Sequence, residues 1–295
     1  MAPVPVLLKK GAGAVRADPR IKGKVEAALE QAGIEADVEL VGGSKFENRC
    51  RAVVERGDRL MIVGGGDGTV SQAASALIGT KTRLGILPLG TLNHFARDLR
   101  IPEDLDEAVR LIASGTERRV DVAEMNDRNF INNSAIGLYP LMLIDRDLQR
   151  DRLGRSKQLA MVLASLRTLA RFRHERLMLT VNDQKEQIDT PLLFVGNNDY
   201  RIDIGCAGRR ERLDRGELCV MVMRKNTRAG LIAASVRALF NRSRADDMVR
   251  IDGVERLRVD SRRSQLAVSF DGEVVSAASP LDYKIRKRAL RVTAP

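Results

Sequence analysis

Short apolar runs alternate with stretches of helical period through the first third of the chain. Val4–Leu8, Ala36–Val41, Leu60–Val63 and Leu84–Leu87 read as buried strands. Between them, Lys22–Ala32, Asn48–Glu55, Val70–Ile78, Leu92–Leu99 and Leu105–Ala113 read as helices, the first with Val25, Ala28 and Leu29 on one face. Strand followed by helix, repeated, predicts crossover units on a parallel sheet with helices on both faces. After about Arg119 the pattern changes to strands separated by turn residues: Val120–Met125, Leu177–Val181, Leu192–Val195, Leu218–Met223, Leu257–Val259 and Leu266–Phe270. These predict a mostly antiparallel sandwich or barrel. Two helical stretches interrupt it, Lys157–Arg171 and Ala229–Phe240. The expected organisation is a domain over 1–120 and a second over 121–283, with 284–295 a candidate to rejoin the first.

Composition narrows the setting. With 44% apolar and 30% charged residues, the chain has enough material for true cores. Cys50, Cys206 and Cys219 lack disulfide or zinc spacing, which fits a reducing cytoplasm. No apolar window reaches the roughly 20 residues that span a bilayer, and Val4–Leu8 has neither the basic flank nor the cleavage pattern of a signal peptide. A formal charge of +11 favours anionic partners. Aromatic residues at 3% and the absence of Trp argue against nucleic-acid stacking and for phosphates or lipid headgroups.

The chemistry concentrates at two strand-to-helix junctions. Gly64-Gly65-Gly66-Asp67-Gly68-Thr69 follows one strand and opens a helix. Glycines there permit positive φ and close backbone approach to a polyphosphate, while the helix N-terminus faces the anion. A capped tight turn is the plainer alternative. Asp67 could hold magnesium through water, orient a phosphate, or act as a base. The second junction runs Pro88-Leu89-Gly90-Thr91-Leu92-Asn93-His94-Phe95-Ala96-Arg97. Here Gly90 allows a sharp turn and Thr91 is expected to cap the next helix, with its hydroxyl also able to reach a phosphate. Gly90, Thr91 and Asn93 therefore join Gly64–Thr69 as candidate ligand contacts. Both junctions can emerge at the carboxyl edge of a parallel sheet, where ligands bind.

Together GGGDGT and PLGTLNHFAR resemble the diacylglycerol kinase catalytic family, bacterial lipid kinases related to sphingosine and ceramide kinases. Val120-Asp121-Val122, Phe130-Ile131-Asn132, Gly196-Asn197 and Asp271-Gly272-Glu273 extend the resemblance along the chain. It implies a three-layer α/β nucleotide-binding domain followed by a mostly antiparallel β-sandwich, with ATP and Mg2+ as cofactors and a lipid alcohol such as diacylglycerol as acceptor. The family's nucleotide contacts fall on Gly65, Gly66, Asp67, Gly68, Thr69 and Thr91. Its general base falls on Glu273, and Asp271 is counted with the catalytic set. Asp-Gly between two strands is equally a hairpin signal.

Departures from the family pattern are specific. Lys9-Lys10-Gly11-Ala12-Gly13 replaces an asparagine-bearing loop, Leu40 stands at an adenine-side Thr position, and His94 replaces an acidic residue. The family's accessory magnesium loop reads Asp214-Arg215-Gly216, so a metal site at Asp214 is expected to be weak or absent. Leu159–Phe172 has one apolar face opposite Arg167 and Arg171, a pattern of either a core helix or a membrane-surface helix. The reading is a cytoplasmic lipid kinase in peripheral contact with an anionic membrane surface, the inner membrane face being one admitted placement and a homodimer one admitted assembly, that binds no nucleic acid. A soluble-alcohol kinase of NAD-kinase type and an impaired nucleotide- or lipid-binding regulator are the alternatives.

Overall fold

The computed structural model describes residues 2–144, 174–203, 206–224, 230 and 248–295. The helices expected over Lys157–Arg171 and Ala229–Phe240 lie outside them, Gly230 apart. The chain divides into two compact units. One comprises Met1–Val122, Glu211–Arg215 and Arg286–Pro295, the other Ala123–Arg210 and Gly216–Ile285.

In the first unit, β1 (Val4–Lys9), β2 (Ala36–Val41), β3 (Leu60–Gly65) and β4 (Arg83–Pro88) run parallel in the order β2-β1-β3-β4. Val6, Leu7 and Leu8, Met61, Ile62 and Val63, and Leu84, Ile86 and Leu87 are buried as consecutive runs. Continuous burial is what a sheet covered on both faces requires. The covering helices follow from the crossovers. Helices α1 (Gly13–Ala17) and α2 (Ile21–Gln31) follow β1, and α3 (Gly43–Glu55) follows β2. Next come α4 (Asp67–Leu77) after β3, then α5 (His94–Asp98) and α6 (Leu105–Ser114) after β4. α3 packs on α4 while α2 packs on α6, which gives the three layers. The last strand of the chain, β18 (Leu281–Ala294), lies parallel to β4 through Val292, opposite Leu84.

The second unit is a β-sandwich. Its six-stranded sheet is β14-β13-β10-β7-β16-β17, formed by β14 (Met248–Val254), β13 (Leu218–Met223), β10 (Leu192–Asn197), β7 (Asn133–Gly137), β16 (Gln265–Phe270) and β17 (Glu273–Ala278). Facing it, β15 (Arg256–Ser261) pairs antiparallel with the first half of β18 and with β8 (Glu175–Val181), which pairs with β9 (Gln184–Thr190). β5 (Thr116–Met125) and β6 (Arg128–Phe130) form a hairpin, as do β11 (Tyr200–Asp203) and β12 (Cys206–Arg210). Both main sheets contribute to one core in which Phe130 meets the Phe270 ring at 5.8 Å and the Tyr283 ring at 6.3 Å. An α/β parallel domain followed by an antiparallel sandwich is the fold class the hydrophobic pattern implied.

Candidate functional site

Three loops gather at the carboxyl edge of the parallel sheet, those following β1, β3 and β4. Gly64 and Gly65 end β3, Gly66 stands as N-cap of α4, and the helix begins at Asp67 rather than at Val70. The expected use of the glycines is corrected here. None of Gly64, Gly65, Gly66, Gly68 or Gly90 is among the positive-φ glycines; Gly66 is extended, at φ −93° and ψ −173°. Close approach is the reason instead. A Cβ on Gly64 would lie 2.4 Å from Leu8 Cδ2, one on Gly65 2.4 Å from Thr69 Oγ1, and one on Gly90 2.3 Å from the Cα of Gly66. The two glycine turns press backbone against backbone: a Cβ at Gly90 has no room, and one at Gly66 would lie a tight 3.2 Å from the Cα of Gly90.

Asp67 joins the loops chemically. Its Oδ1 accepts the backbone N–H of Phe95 at 3.1 Å, so the acid that opens α4 also holds the first turn of α5. The N–H groups of Asp67 and Gly68 lie in the opening turn of α4, where no carbonyl a turn earlier accepts them. That end carries the positive pole of an 11-residue helix and suits an anion. Thr69 is 5% exposed and packs on Gly65, so its side chain stiffens the turn.

The second junction also departs from expectation. Thr91 is exposed and does not cap α5; Asn93 occupies the cap position in the left-handed region, at φ 49°. Its side chain turns back into the loop, accepting from Gly90 N at 3.0 Å and donating to the carbonyls of Pro88 at 3.0 Å and Gly90 at 3.2 Å. Asn93, 7% exposed, is thus the internal brace of the turn. The β1 loop reaches the same place, since Ala14 N–H donates to Leu89 O at 3.0 Å. Lys10 is exposed, whereas Lys9, which the sequence did not single out, donates to Gln72 Oε1 at 2.8 Å beside the Phe46 ring. A lysine ending a strand before a glycine-bearing loop was the only signal for it.

In the sandwich unit, three motifs far apart in sequence converge. Asp271 Oδ1 accepts the N–H groups of Asn132 at 2.8 Å and Asn133 at 3.0 Å, and Oδ2 accepts that of Ile131 at 3.0 Å. Asn197 donates through Nδ2 to Ile131 O at 2.9 Å and through its backbone N–H to Asn132 O at 2.9 Å. Asp271 and Gly272 both have positive φ, 45° and 88°, in the turn joining β16 to β17. Glu273, the first residue of β17, is exposed. The carboxylate of Asp271 is therefore occupied in holding backbone, while that of Glu273 faces outward.

Asp214 does not fit a divalent cation. Arg212 donates to both its oxygens, Nε to Oδ1 at 3.0 Å and Nη2 to Oδ2 at 3.3 Å, and holds its carboxyl below the ordinary value. Among the described residues, no group of three or more His, Cys, Asp or Glu side chains could hold a metal. No helix among them is long and apolar enough to cross a membrane, and the thiols of Cys50 and Cys219 are buried and free.

Residues 3–125 match the diacylglycerol kinase catalytic domain, and residues 144–294 match the YegS C-terminal NAD kinase beta sandwich-like domain. The chain is 37% identical over 131 residues to a "Probable lipid kinase YegS-like" of Klebsiella pneumoniae, a stretch that is 39% of this chain and 42% of that protein. It is 39% identical over 114 residues to a diacylglycerol kinase of Staphylococcus epidermidis, 37% of this chain and 35% of that one. The aligned stretches thus span less than half of either relative. A crystal structure of a diacylglycerol kinase from Bacillus anthracis superimposes over 99% of this chain and 97% of its own, with a TM-score of 0.71 at 19% identity. Yeast NADH kinase complexed with NADH shares the fold more distantly, with a TM-score of 0.57 at 11% identity over 99% of this chain and 84% of its own.

Proposed function

This chain belongs to the bacterial diacylglycerol kinase-like family, and from that premise we propose that it transfers the γ-phosphate of ATP to the hydroxyl of diacylglycerol or a related lipid alcohol. The observation that carries the reading is the joint between the two phosphate-facing turns. Gly66 and Gly90 meet backbone to backbone, and Asp67 accepts from Phe95 across the same gap. A rigid double turn at a helix N-terminus suits a polyphosphate better than a single flexible loop, because positioning and electrostatics supply most of the catalysis in phosphoryl transfer. Gly66, Asp67 and Gly68 would hold the phosphates through backbone N–H groups, with Thr91 exposed beside them. Magnesium, arriving with the nucleotide, would neutralise phosphate charge. Glu273 would accept the proton of the attacking hydroxyl, and its exposure leaves it able to meet an acceptor. Asp271 would position rather than react, since its oxygens already accept three N–H groups.

The test is magnesium-dependent transfer of labelled γ-phosphate to a panel of lipid and soluble alcohols, with wild type, Asp67→Asn and Glu273→Gln compared. Asparagine keeps an oxygen for Phe95 N–H, so Asp67→Asn removes charge while retaining the brace. Glu273→Gln changes an exposed strand residue and leaves stability unchanged. Losses of about 10²–10⁴ in kcat are expected for each. Label confined to soluble acceptors would favour the alternative of a soluble-alcohol kinase, whose fold likeness is the yeast NADH kinase. ATP binding without transfer to any acceptor would favour a nucleotide-binding regulator.

A further inference from the structure

Arg210, the last residue of β12, is 4% exposed. A guanidinium buried to that degree is costly unless several acceptors replace water. Its Nη1 donates to Ile131 O at 2.5 Å and Asn197 O at 3.2 Å, its Nη2 donates to Asn132 Oδ1 at 2.7 Å, and its Cζ lies 4.9 Å from the Tyr200 ring centroid. The important partner is the peptide group joining Ile131 to Asn132. Its carbonyl accepts from Arg210, and its N–H, on the opposite edge of the same plane, donates to Asp271 at 2.8 Å. One peptide unit is thus gripped by a cation at the oxygen and an anion at the nitrogen. Each bond is charge-assisted, and each polarises the peptide in the sense that strengthens the other.

We infer that Arg210 is a positioning residue for phosphoryl transfer, acting through this peptide and Asp271 on the turn that carries Glu273. The inference rests on the lipid-kinase reading, in which Glu273 is the base. Asp271 has two attachments to the strip, its carboxylate on the N–H groups of 131–133 and its own N–H on Asn133 O at 2.9 Å. The strip in turn is fixed on its carbonyl side by Arg210 and Asn197. Releasing Arg210 removes one of the two side-chain donors to the Ile131 carbonyl and the only charged one of the pair, so the strip loosens and the Asp271-Gly272-Glu273 turn moves with the peptides it holds. Lysine cannot substitute, because a single ammonium lacks the planar fork that reaches three separated acceptors and stacks on Tyr200.

The experiment uses the full chain with Arg210→Lys and Arg210→Ala, read in two ways. Amide hydrogen exchange needs no substrate: the amides of Ile131, Asn132 and Asn133 should exchange at least about tenfold faster in both variants, with those of β3 and α4 unchanged. In the transfer assay kcat should fall about tenfold to a hundredfold with KM for ATP unmoved. Millimolar guanidinium should recover Arg210→Ala but not Arg210→Lys, whose side chain fills the space. Unchanged exchange at 131–133 in a folded variant overturns the inference whatever the kinetics. So does faster exchange with unaltered kcat, a matching rise in KM for ATP, or failure of both variants to fold, which would make Arg210 a general stability element. If wild type phosphorylates no alcohol, the functional reading fails, and the exchange result still decides whether Arg210 holds the strip.

Discussion

A methyl group at Gly90 would have no room. Its ideal position lies 2.3 Å from Gly66 Cα and 2.5 Å from Asn93 Oδ1, both parts of turns that cannot retreat without moving a strand end. Gly90→Ala is therefore expected to destabilise the protein by about 1–3 kcal/mol, as overpacking does, and to weaken ATP binding; urea unfolding and nucleotide titration check the two effects separately. The sequence marked these glycines as special but suggested positive φ, because the close approach of two turns 24 residues apart has no local signature. Asn93 reads in the sequence as a candidate ligand contact, whereas its side chain is spent on Gly90 and Pro88 within its own turn, a role with no local signature. At Asp214 the cation in contact is Arg212, two residues before it, which donates to both carboxylate oxygens. Arg212 holds the carboxyl below its ordinary 3.8. A depressed folded value means the pair stabilises above the unfolded pKa and loses that contribution as pH falls through the folded one. Carboxyl NMR should show Asp214 titrating below the usual range, returning toward it in Arg212→Gln, and not responding to magnesium in wild type.

At the scale of elements, the hairpin of β16 and β17 shows two readings of one motif coexisting. Asp-Gly is a turn signal, and both residues have the positive φ that such a turn needs. The same Asp271 ties the turn to the strip 131–133, leaving Glu273 exposed at the start of β17. Asp271→Ala would deprive three N–H groups of their acceptor. A loss on the order of 3 kcal/mol is expected, since each orphaned buried donor costs about 1–3 kcal/mol and water reaches part of this half-buried turn. Asp271→Asn, which keeps one acceptor oxygen, should lose less; denaturant midpoints order the three proteins. Strands with an apolar run were legible for a related reason: burial writes itself into composition. β9 was not, because Gln184–Thr190 is a sheet-edge strand whose residues are mostly exposed. Helices α3 and α4 begin earlier than their apolar period suggests, at Gly43 and Asp67, since each opens on glycine and polar residues, Gly43-Ser44-Lys45 and Asp67-Gly68-Thr69, that carry no apolar period even though Phe46 and Thr69 are buried.

On the whole-molecule scale, the order of parallel and antiparallel grammar along the chain anticipated the fold class, yet the pieces Glu211–Arg215 and Arg286–Pro295 join the first unit across long sequence intervals. Such returns depend on pairing partners far along the chain, Val292 with Leu84 for instance; the apolar end makes 284–295 a candidate to return, while nothing local points to 211–215. Charge is the whole-chain property with the most direct consequence. Fifty Lys and Arg against 39 Asp and Glu leave +11. Many described cations are already engaged, Arg258 with Asp260 and Asp282, Arg263 with Glu175, and Lys284 with Glu124. Pairing of this kind consumes charge one for one and leaves the excess intact. Near an anionic surface each excess cation contributes about 1 kcal/mol, screened over a Debye length of about 8 Å at physiological salt. Cosedimentation with vesicles should therefore rise with the fraction of anionic lipid and fall steeply with added salt. Binding that ignores both would mean that any approach to membranes is apolar, and would shift attention from net charge to the segment 159–172, outside the described residues, whose sequence carries an apolar face.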